Sequence, residues 1–313
     1  MATTIKDVAE YAGVGVGTVS RVINDEKSVR ATTREKVKAA MATLQFSPNK
    51  MAVKLRRKET RNIALLVPVI NHPFFAKFAY YVEDEADKYG YSVILVSSQR
   101  RVQKETDIID RIKRREVDGA VFVTHFEHAM EELKNCPIVS IDRYFGDDIP
   151  YVTSDNYQAT IGAVEYLIEK GCKNIGYLGS KPIVASEVME RERAYCDTMA
   201  KHNMPLCSMN EIIMHGEENA LVYSFFEKYS HLDGVFVSGF SLAQALYEFA
   251  VQMGKRIPQD LQIVSYDGSF KQWGNNNLLT CVEQPIEQMA REVVRLLIKN
   301  KQENLFAYNT LQI

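Results

Sequence analysis

From residue 62 to residue 266, short apolar runs alternate with stretches of helical period, and this alternation restricts the fold more than any other feature of the chain. The runs 63–69, 91–96, 119–123 and 138–141 read as strands, with amphipathic helices over 74–89 and 104–114. The pattern restarts with a helix over 161–169 and a strand over 175–178. Helices over 187–202, 218–229 and 242–253 follow, separated by strands at 212–214, 235–237 and 263–266. Such alternation predicts parallel sheets covered by helices on both faces. With 313 residues the chain exceeds what one hydrophobic core comfortably serves, so more than one domain is expected.

A weak internal repeat divides this region in two. Asp118-Gly-Ala-Val-Phe-Val-Thr is similar to Asp233-Gly-Val-Phe-Val-Ser, and Ile138-Val-Ser-Ile-Asp142 to Ile263-Val-Ser-Tyr-Asp267, in the same order. Two α/β lobes follow, each with an aspartate at the carboxyl end of a strand. Open α/β sheets bind ligands outside those ends, so Asp142 and Asp267 are expected at one shared cleft.

The first sixty residues differ. Thr4-x-x-Asp7 has capping-box spacing and opens a helix, Gly13 ends it, and a second helix starts at or beside Gly15 and stops at Asn24. Thr32-x-x-Glu35 reads as the capping box of a third helix running through Leu44. Two short helices joined by a glycine-bearing turn form a helix-turn-helix motif, which places its second helix in the DNA major groove. Charge agrees. The formal net charge is −2, but residues 1–61 hold 13 Lys/Arg against 6 Asp/Glu, whereas the remainder holds 25 against 34. A basic segment on an acidic body suggests contact with a polyanion confined to that segment. After Pro48, the stretch carrying Lys50, Lys54, Arg56 and Arg57 reads as a linker that becomes helical once phosphates neutralise it.

Other functions find less support. Five cysteines without C-x-x-C spacing indicate neither a zinc site nor a disulfide framework. His125-x-x-His128 with Glu127 lacks a convergent set of ligands and reads as a solvated helix start. No G-x-S-x-G, Walker loop or H-E-x-x-H appears, so neither an enzyme nor a cofactor is expected. The start of the sequence lacks a signal-peptide pattern and no apolar run is long enough to span a membrane, which favours the cytoplasm.

Asp7-Val-Ala-Glu-Tyr-Ala-Gly-Val-Gly-Val-Gly-Thr-Val-Ser-Arg-Val-Ile-Asn24 resembles the lactose-repressor/galactose-repressor family of bacterial transcription factors. The likeness continues through Thr33-Arg-Glu-Lys-Val37, Ser47-Pro-Asn-Lys-Met-Ala52, Tyr151-Val-Thr-Ser-Asp-Asn-Tyr157, Arg191-x-x-Ala-Tyr195 and the segment from Arg256 to Asp267. The resemblance implies a small all-α helix-turn-helix headpiece (1–46), a hinge helix or linker (47–60), and an α/β core (61–313) of two doubly wound parallel-sheet lobes like periplasmic binding proteins. Lobe 1 is expected over about 61–158 and 286–303, and lobe 2 over about 159–285 and 304–313. It implies a repressor that binds a near-palindromic operator in double-stranded DNA as a homodimer, with affinity set by a sugar-like small molecule between the lobes. The alternatives are a regulator that ignores ligands or one that answers to a non-sugar effector. Some members carry a leucine-heptad tail that makes tetramers. Here Ile313 follows a strand-like run directly, so a dimer is expected.

By the family pattern Val16, Gly17 and Arg21 occupy the base-reading face, and Thr4, Gly15, Thr18, Ser20, Asn24 and Thr33 occupy backbone-contact positions. Asn49, Ala52, Leu55 and Arg56 belong to the hinge, with Leu55 as a minor-groove wedge. Expected effector contacts are Phe74, Phe75, Asp142, Arg191, Phe240 and Asp267, with Asn71, Arg143, Trp273 and Gln284 near the cleft. Gly239-Phe240 stands where the family usually has an Asn-Asp pair. That replaces a carboxylate by a ring and makes a more apolar effector possible.

Overall fold

A computed structural model describes residues 3–26, 28–46, 59–99, 101–124, 126–128, 130–213, 216–267, 279–303 and 311–312. The chain divides into two compact units, residues 1–60 and 61–313.

In the first unit, helices α1 (Ile5–Ala12), α2 (Val16–Ile23) and α3 (Ala31–Thr43) enclose Val8, Ala9, Val19, Val22, Val37 and Ala40. Thr4 caps α1 in a reciprocal box: the Thr4 amide donates to Asp7 Oδ2 at 2.7 Å and the Asp7 amide donates to Thr4 Oγ1 at 3.4 Å. Gly13 ends α1 with φ of 63°, a left-handed conformation that glycine adopts without steric cost. The expected box at Thr32 does not form. α3 begins two residues earlier than that box requires, with Arg30 as its N-cap and no side-chain cap, so Thr32 already lies in the first turn. Arg34 instead ties that turn down by donating to the Asp25 carboxylate and to the Glu26 carbonyl.

The second unit holds two parallel sheets. Strands β1 (Asn62–Val67), β2 (Ser92–Ser97), β3 (Ala120–Phe122), β4 (Ile138–Ile141), β5 (Tyr151–Thr153) and β11 (Leu311–Gln312) lie in the order β11-β5-β4-β3-β1-β2. Strands β6 (Ile175–Ser180), β7 (Cys207–Glu211), β8 (Gly234–Val237), β9 (Gln262–Tyr266) and β10 (Thr280–Val282) lie in the order β10-β9-β8-β6-β7. Counted within each lobe, both sheets begin 2-1-3-4-5, so the sequence repeat is a repeat of topology.

The repeated Asp-Gly steps do the same work in both lobes. Asp118 accepts the Arg61 amide just before β1 at 2.9 Å, and Asp233 accepts the Lys173 and Asn174 amides just before β6. The following glycine admits a close neighbour: a Cβ on Gly119 would stand 2.7 Å from the Pro137 carbonyl oxygen.

Strand side chains alternate between two cores, as the two-residue period requires. In lobe 1, Ile63, Leu65 and Val67 face α4 (Pro73–Lys88) and α11 (Ile286–Glu303), while Ala64 and Leu66 face α5 (Val102–Lys113). A short helix, α6 (Met130–Leu133), precedes β4. Lobe 2 is covered by α7 (Asn156–Glu169) and α8 (Glu190–Lys201) with their own core, and by α9 (Glu218–Lys228) and α10 (Phe240–Gln252) with another.

Three sequence expectations are corrected. Within the stretch 304–313 expected in lobe 2, Leu311 and Gln312 instead pair with Val152 and Thr153 at the edge of the lobe 1 sheet, and the other residues of that stretch are outside the described residues. The strand expected at 212–214 lies earlier, at Cys207–Glu211, and Met214 is outside the described residues. This edge strand carries polar Ser208 and Asn210, whose side chains donate to Glu192 of α8 at 2.6 and 2.7 Å, so its pattern is not apolar. His128 is no solvated residue. Its side chain is 1% exposed, with Nε2 2.6 Å from Glu105 Oε2. His125 lies outside the described residues, and among those described no cluster of three metal-type ligands forms.

Candidate functional site

Two crossings between the lobes set the floor of a cleft. After β4 and after β9 the backbone turns at Asp142 and Asp267, both left-handed, with φ of 55° and 61°. Their amides donate to the Val152 and Val282 carbonyls, the same contact in each lobe. Thr153, just before one crossing, donates to Asp142 Oδ1 at 2.6 Å. Gln284, at the other, donates to Asp267 Oδ1 at 2.8 Å and accepts from Ser154 Oγ at 2.8 Å. Ser186 Oγ and the Glu187 amide of lobe 2 donate to the Asp142 carbonyl and fasten the opposite wall.

Arg191 of α8 lies at the centre of this floor, 4% exposed. Its Nε donates to Asn156 Oδ1 at 2.7 Å, one Nη donates to the Ser238 carbonyl at 2.6 Å, and its Cζ sits 3.4 Å from the centre of the Tyr266 ring. The planar fork suits that double contact. It binds the crossing after β5 to the end of β8, and its charge faces both aspartates.

Burial pushes the Asp142 carboxyl up from its ordinary value, against the pull of the Thr153 hydrogen bond and the Arg191 charge. Burial pushes Asp267 up as well, with Arg191 and Gln284 opposing. A raised carboxyl keeps its proton in the native state after the unfolded chain has lost it. The native state therefore gains stability below the unfolded value of 3.8 and loses it as pH rises through the raised value. Asparagine at both positions removes that loss. The folding free energy of the double variant should fall less than the parent's as pH rises from about 4 towards neutrality. Urea melts across that range check it, and parallel pH profiles would refute it.

The cleft above this floor holds about 210 Å³. Lobe 1 supplies aromatic rings, Phe74, Phe75 and His72; lobe 2 supplies branched aliphatic side chains, Ile183, Val184, Val188 and Ile213. A polar floor between apolar walls suits a small hydroxylated molecule, with oxygens held below and ring faces covered at the sides.

On the headpiece, α2 presents Gly15, Val16, Gly17 and Arg21 as an exposed face, while Val19 and Val22 hold its other face in the core. Gly15 caps α2 without a side-chain hydrogen bond. Arg21 reaches solvent with Nε 4.0 Å from Glu26 Oε2. Asn24 closes α2, its Nδ2 donating to the Ser20 carbonyl.

The family models agree with both units. "Bacterial regulatory proteins, lacI family" matches residues 4–49, "Periplasmic binding proteins and sugar binding domain of LacI family" matches 60–221, and "Periplasmic binding protein-like domain" matches 164–309. The ribose operon repressor of Halalkalibacterium halodurans is 36% identical over 301 residues, covering 95% of this chain and 90% of that protein. The chain belongs to the lacI family of bacterial regulatory proteins. The sucrose operon repressor of Streptococcus mutans is 32% identical over 96% of this chain and 93% of its own length. Among solved structures, a transcriptional regulator CelR–cellobiose complex is similar at 26% identity with a TM-score of 0.72, covering 99% and 97% of the two chains. A lac repressor dimer bound to operator shares the fold at 22% identity with a TM-score of 0.85, covering 100% and 96%. This lacI-family chain is accordingly a DNA-binding transcriptional regulator with a headpiece and a sensor core of the sugar-binding type.

The lacI-type cleft gathers Phe74, Phe75, Asp142, Arg191 and Asp267 around one chamber, and Gln284 joins them. Phe74 is largely core, stacked on Phe78 at 6.0 Å. Phe240 lines an adjoining chamber instead, with its ring centre 6.1 Å from that of His72. Arg143 turns away from the cleft and lies over the Phe145 ring, and Asn71 is exposed outside it. Asn49, Ala52, Leu55, Arg56 and Trp273 are outside the described residues. Sequence reasoning missed His72, Ser186 and the aliphatic wall. The segment from Ile183 to Val188 begins just after β6, past Lys181 and Pro182, and was open to the same strand-end argument that picked out the aspartates.

Proposed function

We propose that this chain is a cytoplasmic repressor that binds a near-palindromic operator as a homodimer and whose DNA affinity is set by a sugar-type molecule between the lobes. It acts by binding, with no catalysis and no cofactor. Arg21 reads guanine, Val16 offers methyl contact to thymine, Gly17 presents no side chain, and Thr4, Gly15, Thr18, Ser20, Asn24 and Thr33 hold phosphates. Asn49, Ala52, Leu55 and Arg56 form the hinge, with Leu55 opening the minor groove. Phe74, Phe75, Asp142, Arg191, Phe240 and Asp267 meet the effector.

The observation that carries this reading is the floor in which Ser154 and Gln284 join the two lobe crossings and Arg191 ties the first of them to β8, with two carboxylates facing an open cleft. A molecule seated there touches both lobes, and its preference for one lobe arrangement changes the affinity for DNA by the same factor that DNA changes its own. The repressor names and the cellobiose complex among its relatives support a carbohydrate as that molecule. Gel shifts with DNA upstream of the neighbouring genes, with and without those genes' sugar substrates, test it. A change of apparent affinity on adding one sugar supports the reading. Tight operator binding that no sugar or glycoside alters would mark a regulator that ignores ligands.

A further inference from the structure

The cleft is two chambers. The first has the floor of Asp142, Asp267 and Arg191. The second, also about 210 Å³, is lined by Pro68 and Val69 after β1, by Ser238, Gly239 and Ser241 at the start of α10, and by Phe240. His72, Phe75, Ser180, Val188 and Ile213 line both, so the chambers meet there. That shared neck is aromatic on the lobe 1 side: the His72 and Phe75 ring centres are 5.0 Å apart, and Phe240 of lobe 2 approaches His72 edge-on. Each chamber is smaller than the roughly 300–1,000 Å³ of a typical small-molecule site, and the two together fall within that range.

We infer that the effector is a two-ring carbohydrate, a disaccharide or aryl glycoside, with one ring on the aspartate floor and the second past the aromatic neck in the chamber beside Gly239 and Phe240. This inference rests on the sugar-sensor reading and specifies its ligand. Polar groups stand at both ends: the carboxylates and guanidinium in the first chamber, and the Ser241 hydroxyl and Glu218 carboxylate in the second. The neck offers ring faces and edges to the linkage and to the apolar faces of both rings. Gly239 lines the second chamber and has room beside it. Its φ of −171° is extended backbone open to any residue, and a Cβ placed on it meets no heavy atom within 4 Å.

The test is calorimetric titration of the full chain with matched sets: D-glucose against cellobiose, maltose, sucrose and 4-nitrophenyl β-D-glucoside, and D-galactose against lactose and 4-nitrophenyl β-D-galactoside. At least one two-ring compound should bind about tenfold tighter than its single-ring parent, the gain expected of one further stacked ring. Gly239→Leu, which fills the second chamber, should reduce that ratio to about one, whereas Gly239→Ala, which adds a single methyl at the same cap, should keep most of it. Equal affinities for one-ring and two-ring members overturn the inference and leave the sugar sensor standing. A two-ring preference that survives Gly239→Leu also overturns it, because the second ring then lies elsewhere. No binding by any member also overturns the inference, while the sensor reading is decided separately by the gel shifts with the neighbouring genes' sugars.

Discussion

Arg191→Ala should unfold about 3 kcal/mol more easily than the parent chain and should no longer change its DNA affinity when an effector is added. The side chain makes two hydrogen bonds to different segments, Asn156 at one lobe crossing and Ser238 at the end of β8, and stacks on Tyr266. Its removal leaves Asn156 Oδ1 without that donor inside a buried network and leaves Asp142 and Asp267 without their compensating charge. Lysine restores the charge but cannot span both acceptors with a planar fork, so Arg191→Lys should recover part of the stability and little of the response. Urea melts and gel shifts on the same preparations separate the two effects. An alanine variant that melts like the parent would show that the floor does not depend on this residue.

Arg21→Ala should cost about 1–3 kcal/mol of discrimination between operator and unrelated DNA for each headpiece that engages, with little change in non-specific binding. α2 is anchored by Val19 and Val22, so the exposed face can be altered without loss of the headpiece core. The contact with Glu26 at 4.0 Å is solvent-exposed at both ends, and such pairs contribute at most about 1 kcal/mol, so the guanidinium is readily released to a base. Competition titrations against operator and scrambled duplexes at several salt concentrations give both quantities. If Arg21 instead held a phosphate, all sequences would weaken together and the salt dependence would drop by about one counterion.

The fold was legible where one residue's role depends on its neighbours in sequence. The repeated Asp-Gly steps at Asp118 and Asp233 mark equivalent turns because each carboxylate caps a strand start and each glycine admits a close neighbour. The two aspartates at strand ends met at one floor because equal topology puts equal strand ends on facing edges. What escaped was decided by distant partners. β7 has no apolar pattern because Glu192, far from it in sequence, receives its polar side chains. Leu311 and Gln312 join lobe 1 through pairing with β5, which local period cannot reveal. Arg191 was expected to offer its fork to a ligand, but two of its donors already serve the protein, a fact visible only once α8, α7 and β8 are brought together.

The lobes also differ in continuity. Lobe 2, from α7 through β10, is one unbroken segment, whereas lobe 1 lacks α11 and β11 until nearly all residues have been made. α11 contributes Met289, Val293, Val294 and Leu297 to the core behind β1. On the ribosome, the inner lobe can therefore close while the outer one still exposes an oily groove along α4. A released chain truncated before residue 286 should protect lobe 2 from protease and leave β1 and α4 open to cleavage, which makes α11 the step that commits the sensor core to its native form.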